Sequence, residues 1–154
     1  MKITIISIGK FENSPHKEVF QNYLKRMKWN VELKELELRN SKNLPVEKLK
    51  EEEAKIIAKA IKLGSVVIAL DEKGKEFTSQ NFAKLLADFS LHGNSHLTFI
   101  IGGACGLAPG ILQKAQLKIA LGLMTFPHLM VRAILLEQLY RAESIIAGHP
   151  YHKE

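Results

Sequence analysis

Residues 65–101, SVVIALDEKGKEFTSQNFAKLLADFSLHGNSHLTFII, contain the pattern that decides the fold. Residues 65–70 and 96–101 are short and mainly apolar, as expected of strands that are buried on both faces of a sheet. Between them, Thr78 or Ser79 is a suitable N-cap for an amphipathic helix. This order of strand, helix and strand is typical of a parallel α/β sheet.

The same alternation continues on both sides of this segment. Further strands are predicted at residues 2–8, 31–38 and 117–121, and helices are predicted to begin at Ser14-Pro15, Pro45, Pro109 and Pro127. The apolar alternation of residues 31–38 slips at Lys34-Glu35, which indicates an edge strand or a bulge. No repeat or linker interrupts the 154 residues. We therefore expect one domain, residues 1–154, with an open parallel α/β sheet and helices on both faces.

The charge distribution narrows the choice of partner. The formal net charge is +6, and residues 89–136 contain no carboxylate, whereas Lys114, Lys118 and Arg132 lie among them. Such a segment favours an anionic partner such as RNA or a nucleotide, or it is simply a buried apolar region. The acidic residues concentrate earlier, and residues 51–53 are expected on a solvated helix face.

Other function classes are disfavoured by composition. No apolar run reaches the ~18 residues that a membrane span needs, so no membrane partner is expected. A single cysteine excludes an internal disulfide framework and is typical of a reducing compartment, which predicts a cytoplasmic protein. His149 and His152 are three residues apart without acidic or thiol ligands at a metal-site spacing, so no metal is expected. Cys105 does not complete G-x-S-x-G because Leu107 replaces the last glycine, which disfavours a catalytic nucleophile.

Three loops are expected at the carboxyl edge of the sheet, where open α/β sheets bind ligands. They are residues 71–77, 102–108 and 122–127. Gly102-Gly103 would let the backbone approach a ligand closely, but the pattern matches neither G-x-G-x-x-G nor the P-loop. Residues 122–127 form an apolar loop that either closes over a flat group such as a purine or seals the core.

The C-terminal segment ends in an unusual tail. Pro127 starts an amphipathic helix, and Gly148 followed by Pro150 stops it. Beyond the stop, the sequence HPYHKE at residues 149–154 is too polar for a core. We therefore expect this tail to serve a binding or catalytic purpose.

Together these segments resemble the ribosomal RNA large subunit methyltransferase H family, a small member of the SPOUT class. The resemblance extends over essentially the whole chain and rests on IGGACGL (residues 101–107), MTFPHLMVR (124–132), EQLYRA (137–142), HPYHKE (149–154), MKITIISIGK (1–10) and ALDEKGK (69–75). Ala104-Cys105 departs from relatives that carry Pro-Glu there, which further disfavours a catalytic Cys105.

The resemblance implies an activity, a fold and a set of partners. It implies methylation of N3 of a pseudouridine in large-subunit ribosomal RNA, with S-adenosylmethionine as the methyl donor and the assembled ribosome as the substrate. It also implies a SPOUT-type C-terminal trefoil knot and a homodimer. The cofactor-binding residues that it implies are Leu70, Gly103, Gly122, Leu123, Met124, Thr125, Phe126 and Pro127.

The catalytic side chains are predicted from the chemistry that this reaction needs. The N3–H of an imide is a poor nucleophile until it is deprotonated, so a base or an anion-stabilising group is required. Arg132 is the candidate for contacting an RNA phosphate or the developing anion. Tyr151 and His152 are candidates for proton transfer or base stacking, and the tail of one subunit would complete the site of the other. Arg141 belongs either to the dimer interface or to the RNA-binding surface.

Three alternatives stay open at this stage. A SPOUT methyltransferase that acts on transfer RNA would have the same pocket, although 154 residues leave no separate RNA-binding domain. A non-catalytic RNA- or ribosome-binding module would bind RNA without any effect of the cofactor. A cysteine hydrolase would depend on Cys105.

Overall fold

The computed structural model describes residues 1–39 and 41–152 of the chain. In chain order its elements are β1 Lys2–Ile8, α1 Pro15–Arg26, β2 Asn30–Leu36, a 3₁₀ turn Ser41–Asn43, α2 Val46–Ala60, β3 Val66–Glu76, α3 Ser79–Leu91, β4 His96–Ile101, α4 Pro109–Lys114, β5 Leu117–Ala120 and α5 His128–Ile146. Lys153 and Glu154, at the end of the predicted tail, lie outside the described residues.

The five strands form a parallel sheet in the order β2-β1-β4-β3-β5. The predicted α/β class with a parallel sheet is therefore confirmed, and β2 is an edge strand as its broken alternation indicated. Ile5 in β1 pairs with Leu33 in β2 and with Phe99 in β4, so the apolar centres of these strands lie side by side. The trefoil knot stays a prediction.

Helices cover both faces of the sheet, because successive strand residues point to opposite sides. On one face, Ile68 and Phe99 pack against α1, α3 and α5, to which α5 contributes Leu136 and Leu139. On the other face, the neighbouring residues Ala69 and Ile100 pack against α2 and α4. Each fully buried aliphatic or aromatic side chain contributes about 1.5–3 kcal/mol of transfer free energy. The two apolar layers together fix the sheet between its helices.

Residues 71–77 differ from the prediction, which made them a loop. β3 continues to Glu76, and both Leu70 and Lys75 align with Ile119 because the residues between them bulge out of the ladder. A Cβ atom on Gly74 would lie 2.5 Å from the carbonyl carbon of Ile119, so only glycine fits this close approach. The bulge was missed because a charged segment has no apolar alternation.

A buried carboxylate fixes the end of α5 near the start of the chain. Glu143, 7% exposed, accepts hydrogen bonds from the backbone N–H groups of Lys28 (3.0 Å) and Trp29 (2.6 Å). These donors lie in the connection between α1 and β2. Gly148 then turns the chain with a positive φ of 66°. The residues after it run back along α5 instead of continuing away from the sheet.

Candidate active site

A cavity of about 810 Å³ opens at the carboxyl edge of β3, β4 and β5. Its walls are residues 70–73, 101–107, 119–122 and 124–128, together with Lys50, Leu112 and Val131 from three helices. This volume falls within the range of pockets that enclose a small-molecule ligand, roughly 300–1,000 Å³. All three loops expected at this edge from the sequence contribute to the cavity.

The glycine turn after β4 forms one wall with its backbone. Gly103 accepts a hydrogen bond from the N–H of Gly106 at 3.0 Å, and Gly106 has a φ of +75°. A Cβ atom on Gly102 would lie 2.9 Å from the carbonyl carbon of Gly106, which is closer than real Cβ contacts allow. The turn is therefore tight and presents backbone groups, with no side chain at Gly102 or Gly103, to a ligand.

The loop at residues 122–127 forms the opposite wall. Gly122 has a φ of +152°, in a region that L-residues rarely adopt. Leu123 and Met124 are 91% and 76% exposed, an arrangement that is unfavourable in water and that a bound flat group would relieve. Thr125 Oγ1 donates a hydrogen bond to Glu72 Oε2 at 3.4 Å, which connects this loop to the extension of β3.

These walls fit the cofactor that the resemblance implies. S-adenosylmethionine has a flat ring that forms hydrogen bonds at its edge, and it has a charged amino-acid end. The cavity combines apolar and backbone surfaces, which suit the ring, with charged groups, which suit the amino-acid end. Of the eight predicted binding residues, seven line the cavity: Leu70, Gly103, Gly122, Met124, Thr125, Phe126 and Pro127. Leu123 does not line it.

Arg132 lies behind the cavity. Its side chain is fully buried, and Nη2 donates to the carbonyl oxygens of Ile8 at 2.7 Å and Gly9 at 3.0 Å. Nη1 lies 3.3 Å from Glu35 Oε1, and the guanidinium carbon is 5.0 Å from the centre of the Phe11 ring. Burial lowers the pKa of Arg132 and Glu35 opposes this shift, but an arginine stays charged. Contact with RNA would require this network to rearrange.

His128 is a cavity residue that sequence reasoning did not select. It follows Pro127 directly, at the first position of α5, and it lines the cavity. A Cβ atom on Gly9 would lie 3.9 Å from its Nε2 and 3.8 Å from Nη2 of Arg132, so the imidazole and the guanidinium share one neighbourhood. Burial, and then the charge of Arg132, lower the pKa of His128 below 6.5, which keeps the ring neutral near pH 7. Its position in the MTFPH motif was the available signal.

Glu53 differs from the expectation of a solvated helix face. It is 7% exposed, and a Cβ atom on Gly103 would lie 3.2 Å from its Oε1. Burial raises the pKa of Glu53, and the charge of Lys50 partly opposes that rise. The signal was available in the sequence, because residues 53 and 57 are one turn apart and Ile57 is an evident core residue. The acidic residues next to Glu53 in the sequence indicated an exposed helix face instead.

The tail packs onto α1 and α5, away from the cavity walls. We call the tail cluster the set formed by Tyr23, Arg26, Glu137, Tyr140, Arg141, Tyr151 and His152. The Tyr151 hydroxyl is 3.0 Å from that of Tyr23 and donates to Glu137 Oε1 at 3.1 Å. The guanidinium carbons of Arg26 and Arg141 lie 5.2 Å and 4.8 Å from the centre of the Tyr151 ring.

The tail cluster determines the hydrogen bonds of Tyr151 and His152, the two predicted catalytic residues that it contains. Burial, the hydrogen bond to Tyr23 and the charge of Glu137 raise the pKa of Tyr151, so its phenol stays protonated at neutral pH. Nδ1 of His152 lies 3.2 Å from Nη1 of Arg141. Because a guanidinium can only donate, Nδ1 accepts and the ring proton is on Nε2. His152 therefore has an Nε2–H free to donate, whereas the single O–H of Tyr151 already donates to Glu137.

Residues 1–39 and 41–152 contain neither a candidate metal site nor a candidate membrane-spanning helix. No group of three or more His, Cys, Asp or Glu side chains there is arranged to hold a metal ion. None of the helices in these residues is both long and apolar enough to cross a membrane.

The chain is similar in sequence to known proteins along almost its whole length. Residues 1–152 match the family described as predicted SPOUT methyltransferase. The chain is 39% identical over 153 residues to ribosomal RNA large subunit methyltransferase H of Rhodospirillum centenum, covering 99% of both proteins. The proteins of the same name from Carboxydothermus hydrogenoformans and Clostridium botulinum (strain Kyoto) are 43% identical over 160 and 159 residues, covering 99% of this chain and 100% of each relative.

A solved structure supports the fold. A probable methylase family protein from Haemophilus influenzae Rd KW20 superimposes with a TM-score of 0.55 at 15% identity, over 99% of this chain and 70% of that one. At this identity the likeness concerns the fold alone. The sequence matches, in contrast, cover the full described length at about 40% identity, and they show that the chain belongs to the SPOUT methyltransferase family, among the proteins named ribosomal RNA large subunit methyltransferase H.

Proposed function

We propose that this protein methylates N3 of a pseudouridine in large-subunit ribosomal RNA, with S-adenosylmethionine as the methyl donor. The observation that carries the proposal is the cavity at the carboxyl edge, whose walls are backbone and apolar groups from three loops. Family membership and the names of the relatives support the reaction class and the RNA substrate.

The residues of this chain bind the cofactor mainly through loop backbone. The backbone of residues 122–127 would hold the adenine, with Leu70 and Phe126 as apolar neighbours in the same cavity. The tight turn at Gly102-Gly103 would leave room for the amino-acid end. When bound, S-adenosylmethionine supplies an electrophilic methyl group on its sulfonium. A Rossmann-type acidic residue for the ribose is not required in such a pocket, in agreement with the absence of G-x-G-x-x-G from the sequence.

The target nitrogen must lose its proton before or during the transfer. His128 is the pocket-lining imidazole, and its lowered pKa keeps the ring neutral and able to accept a proton near pH 7. We infer that His128 accepts the N3 proton. Arg132 then positions the imidazole through Gly9, because its guanidinium binds the carbonyl oxygens of Ile8 and Gly9.

The tail supplies a stacking ring and a hydrogen-bond donor to the target base. Tyr151 offers its ring for stacking, since its O–H already donates to Glu137, and His152 offers its Nε2–H to a uracil oxygen or a phosphate. Neither residue lines the cavity of its own protomer. A homodimer in which the tail of one protomer meets the cavity of the other brings the two groups together. For the dimer contact, Met130 on α5 keeps a partly exposed surface, whereas Tyr140 on the same helix is buried in the tail cluster.

The substrate proposal is tested by methyl transfer from labelled S-adenosylmethionine to RNA from cells that lack the enzyme. Three substrates are compared: intact ribosomes, free large subunits and naked ribosomal RNA. We expect incorporation into intact ribosomes and little into the other two, because a protein of this size relies on a preformed surface for recognition. The modified nucleoside is then identified by mass spectrometry.

Other outcomes favour the alternatives. Incorporation only into transfer RNA would favour a different substrate for the same pocket. Binding of RNA without any binding of S-adenosylmethionine would favour a non-catalytic module. Activity that depends on Cys105 and not on the cofactor would favour a hydrolase, whereas we expect Cys105→Ser to leave methyl transfer unchanged.

The role of His128 is tested by His128→Asn. We expect methyl transfer to fall about 100-fold or more, because a positioned general base contributes roughly 10²–10⁴ to the rate. The affinity for S-adenosylhomocysteine, measured by calorimetry, should change less than about twofold, since a base acts on the RNA and not on the cofactor. His92→Asn, on the exposed C-cap of α3, is the matched control and should be silent. Full activity of His128→Asn would assign the proton transfer to another group.

A further inference from the structure

Glu53 is a buried titratable group that neither the fold nor the proposed mechanism uses. It lies on α2, 7% exposed, and in the described part of the chain it receives no hydrogen bond and forms no ion pair. Desolvation raises the pKa of this carboxyl group. A buried polar group without a partner costs free energy, so a ligand that supplies a partner is a natural explanation for its retention.

The position of Glu53 indicates where such a ligand would lie. A Cβ atom on Gly103 would be 3.2 Å from Oε1 and 3.5 Å from Oε2 of this carboxyl group. Gly103 is itself a wall of the cavity. Any side chain at position 103 would therefore begin against both carboxyl oxygens, a space that glycine leaves free. Glu53 does not itself line the cavity, so its carboxyl group lies just behind the wall that Gly103 forms.

Lys50 gives the second charge of the arrangement. It precedes Glu53 by three residues on α2, lies on the same side of the helix and lines the cavity. The pair thus presents an ammonium and a carboxylate about one helical turn apart. An α-amino acid carries the opposite charges, a carboxylate and an ammonium, on a single carbon. Asp71 and Glu72 also line the cavity, but they lie across it on β3, and Glu72 is exposed to competing water.

We propose that Glu53 and Lys50 bind the amino-acid end of the methyl donor. The carboxylate of Glu53 accepts hydrogen bonds from the α-ammonium group, and the ammonium of Lys50 pairs with the α-carboxylate. This assignment rests on the proposed function. It makes Glu53 a residue that distinguishes cofactors with an amino-acid end from nucleosides that lack one, such as 5′-methylthioadenosine.

The test compares two ligands by calorimetry with the full-length protein. S-adenosylhomocysteine keeps the amino-acid end, and 5′-methylthioadenosine keeps only the nucleoside and its thioether. In Glu53→Gln we expect the affinity for S-adenosylhomocysteine to fall about tenfold or more, as for the loss of a charged hydrogen bond, while that for 5′-methylthioadenosine changes less than about twofold. Lys50→Gln should show the same selectivity. Glu51→Gln, an exposed neighbour on the same helix, should change neither affinity.

Thermal unfolding without ligand excludes a structural explanation. Glu53→Gln should melt at the same temperature as the wild type or higher, because an amide costs less to bury than a carboxylate. A lower melting temperature, an equal loss of both ligands, or a loss in Glu72→Gln in place of Glu53→Gln would overturn the assignment. If the wild type binds neither ligand, the proposed cofactor is wrong, which is a separate result.

Discussion

Deletion of residues 149–154 should leave a folded dimer that binds S-adenosylhomocysteine with wild-type affinity and transfers methyl groups at least about 1,000-fold more slowly. The deletion removes the stacking ring of Tyr151 and the donor of His152, which we assign to the target base, and positioned groups of this kind contribute roughly 10²–10⁴ to the rate. It leaves every cavity residue in place, because none of the cavity walls lies beyond Val131. Calorimetry, sedimentation and the ribosome methylation assay measure the three properties separately.

Two point variants show whether the tail acts through its side chains. His152→Ala should lose most of the activity, because it removes the Nε2–H donor that Arg141 orients. His149→Ala is the matched control in the same tail and should be active, since its side chain is exposed. Full activity of the truncated protein would contradict any catalytic use of the tail.

A mixing experiment distinguishes a tail that acts in the other protomer from one that acts in its own. The truncated chain is combined with full-length Gly122→Val, whose cavity loop is strained because position 122 has a φ of +152°. If the tail acts across the dimer, mixed dimers hold one complete site. Random pairing then gives about a quarter of the wild-type activity, from half of the dimers with one site of two. If the tail acts within its own protomer, the mixture stays inactive.

The sequence was sufficient for the sheet and for the location of the cavity. Apolar runs such as residues 65–70 and 96–101 encode strands directly, because burial on both faces removes almost every polar residue from them. The glycine turn and the loop at residues 122–127 follow these strands, and ligands bind at that edge in such sheets. Fold class, edge strand and cavity walls therefore depend on local patterns that one sequence displays.

Charged residues were harder to interpret, because their environment depends on distant parts of the chain. Arg132 was expected to contact an RNA phosphate or the developing anion, yet its partners include backbone oxygens at residues 8 and 9, more than 120 positions away. Glu53 was grouped with its exposed neighbours, although it is 7% exposed and its carboxyl group lies beside Gly103, 50 positions away. In each case the charge of the side chain was taken as a sign of exposure. The side chain instead lies against a distant part of the chain, which the local sequence pattern does not reveal.

The tail was only partly predictable. Its composition excluded a core position and indicated a functional surface. It did not reveal that Tyr151 would be held by two arginines and a second tyrosine from α1 and α5. Such a cluster depends on the packing of α1 against α5, which is set by the apolar core beneath the two helices.

Replacement of Arg132 should have the largest effect on stability. Arg132→Met should lower the free energy of unfolding by about 3–5 kcal/mol, the range for removing one partner of a buried ion pair. The change leaves the carbonyl oxygens of Ile8 and Gly9 without their donor, and it leaves Glu35 with only the Phe11 N–H from this network. Urea unfolding, with the midpoint and the slope fitted together, measures the loss.

Arg132→Lys shows whether the geometry of the guanidinium donors or the positive charge alone stabilises the protein. Arg132→Lys keeps the charge but offers no planar fork to two adjacent carbonyl oxygens, so it should recover only a small part of the lost stability. Lys10→Met removes the neighbouring surface pair with Glu37 and should leave the unfolding midpoint unchanged, because both partners are largely exposed. If Arg132 instead contacted RNA, Arg132→Met would unfold like the wild type and Arg132→Lys would retain much of the activity. The two readings thus predict opposite results in an experiment that requires no RNA.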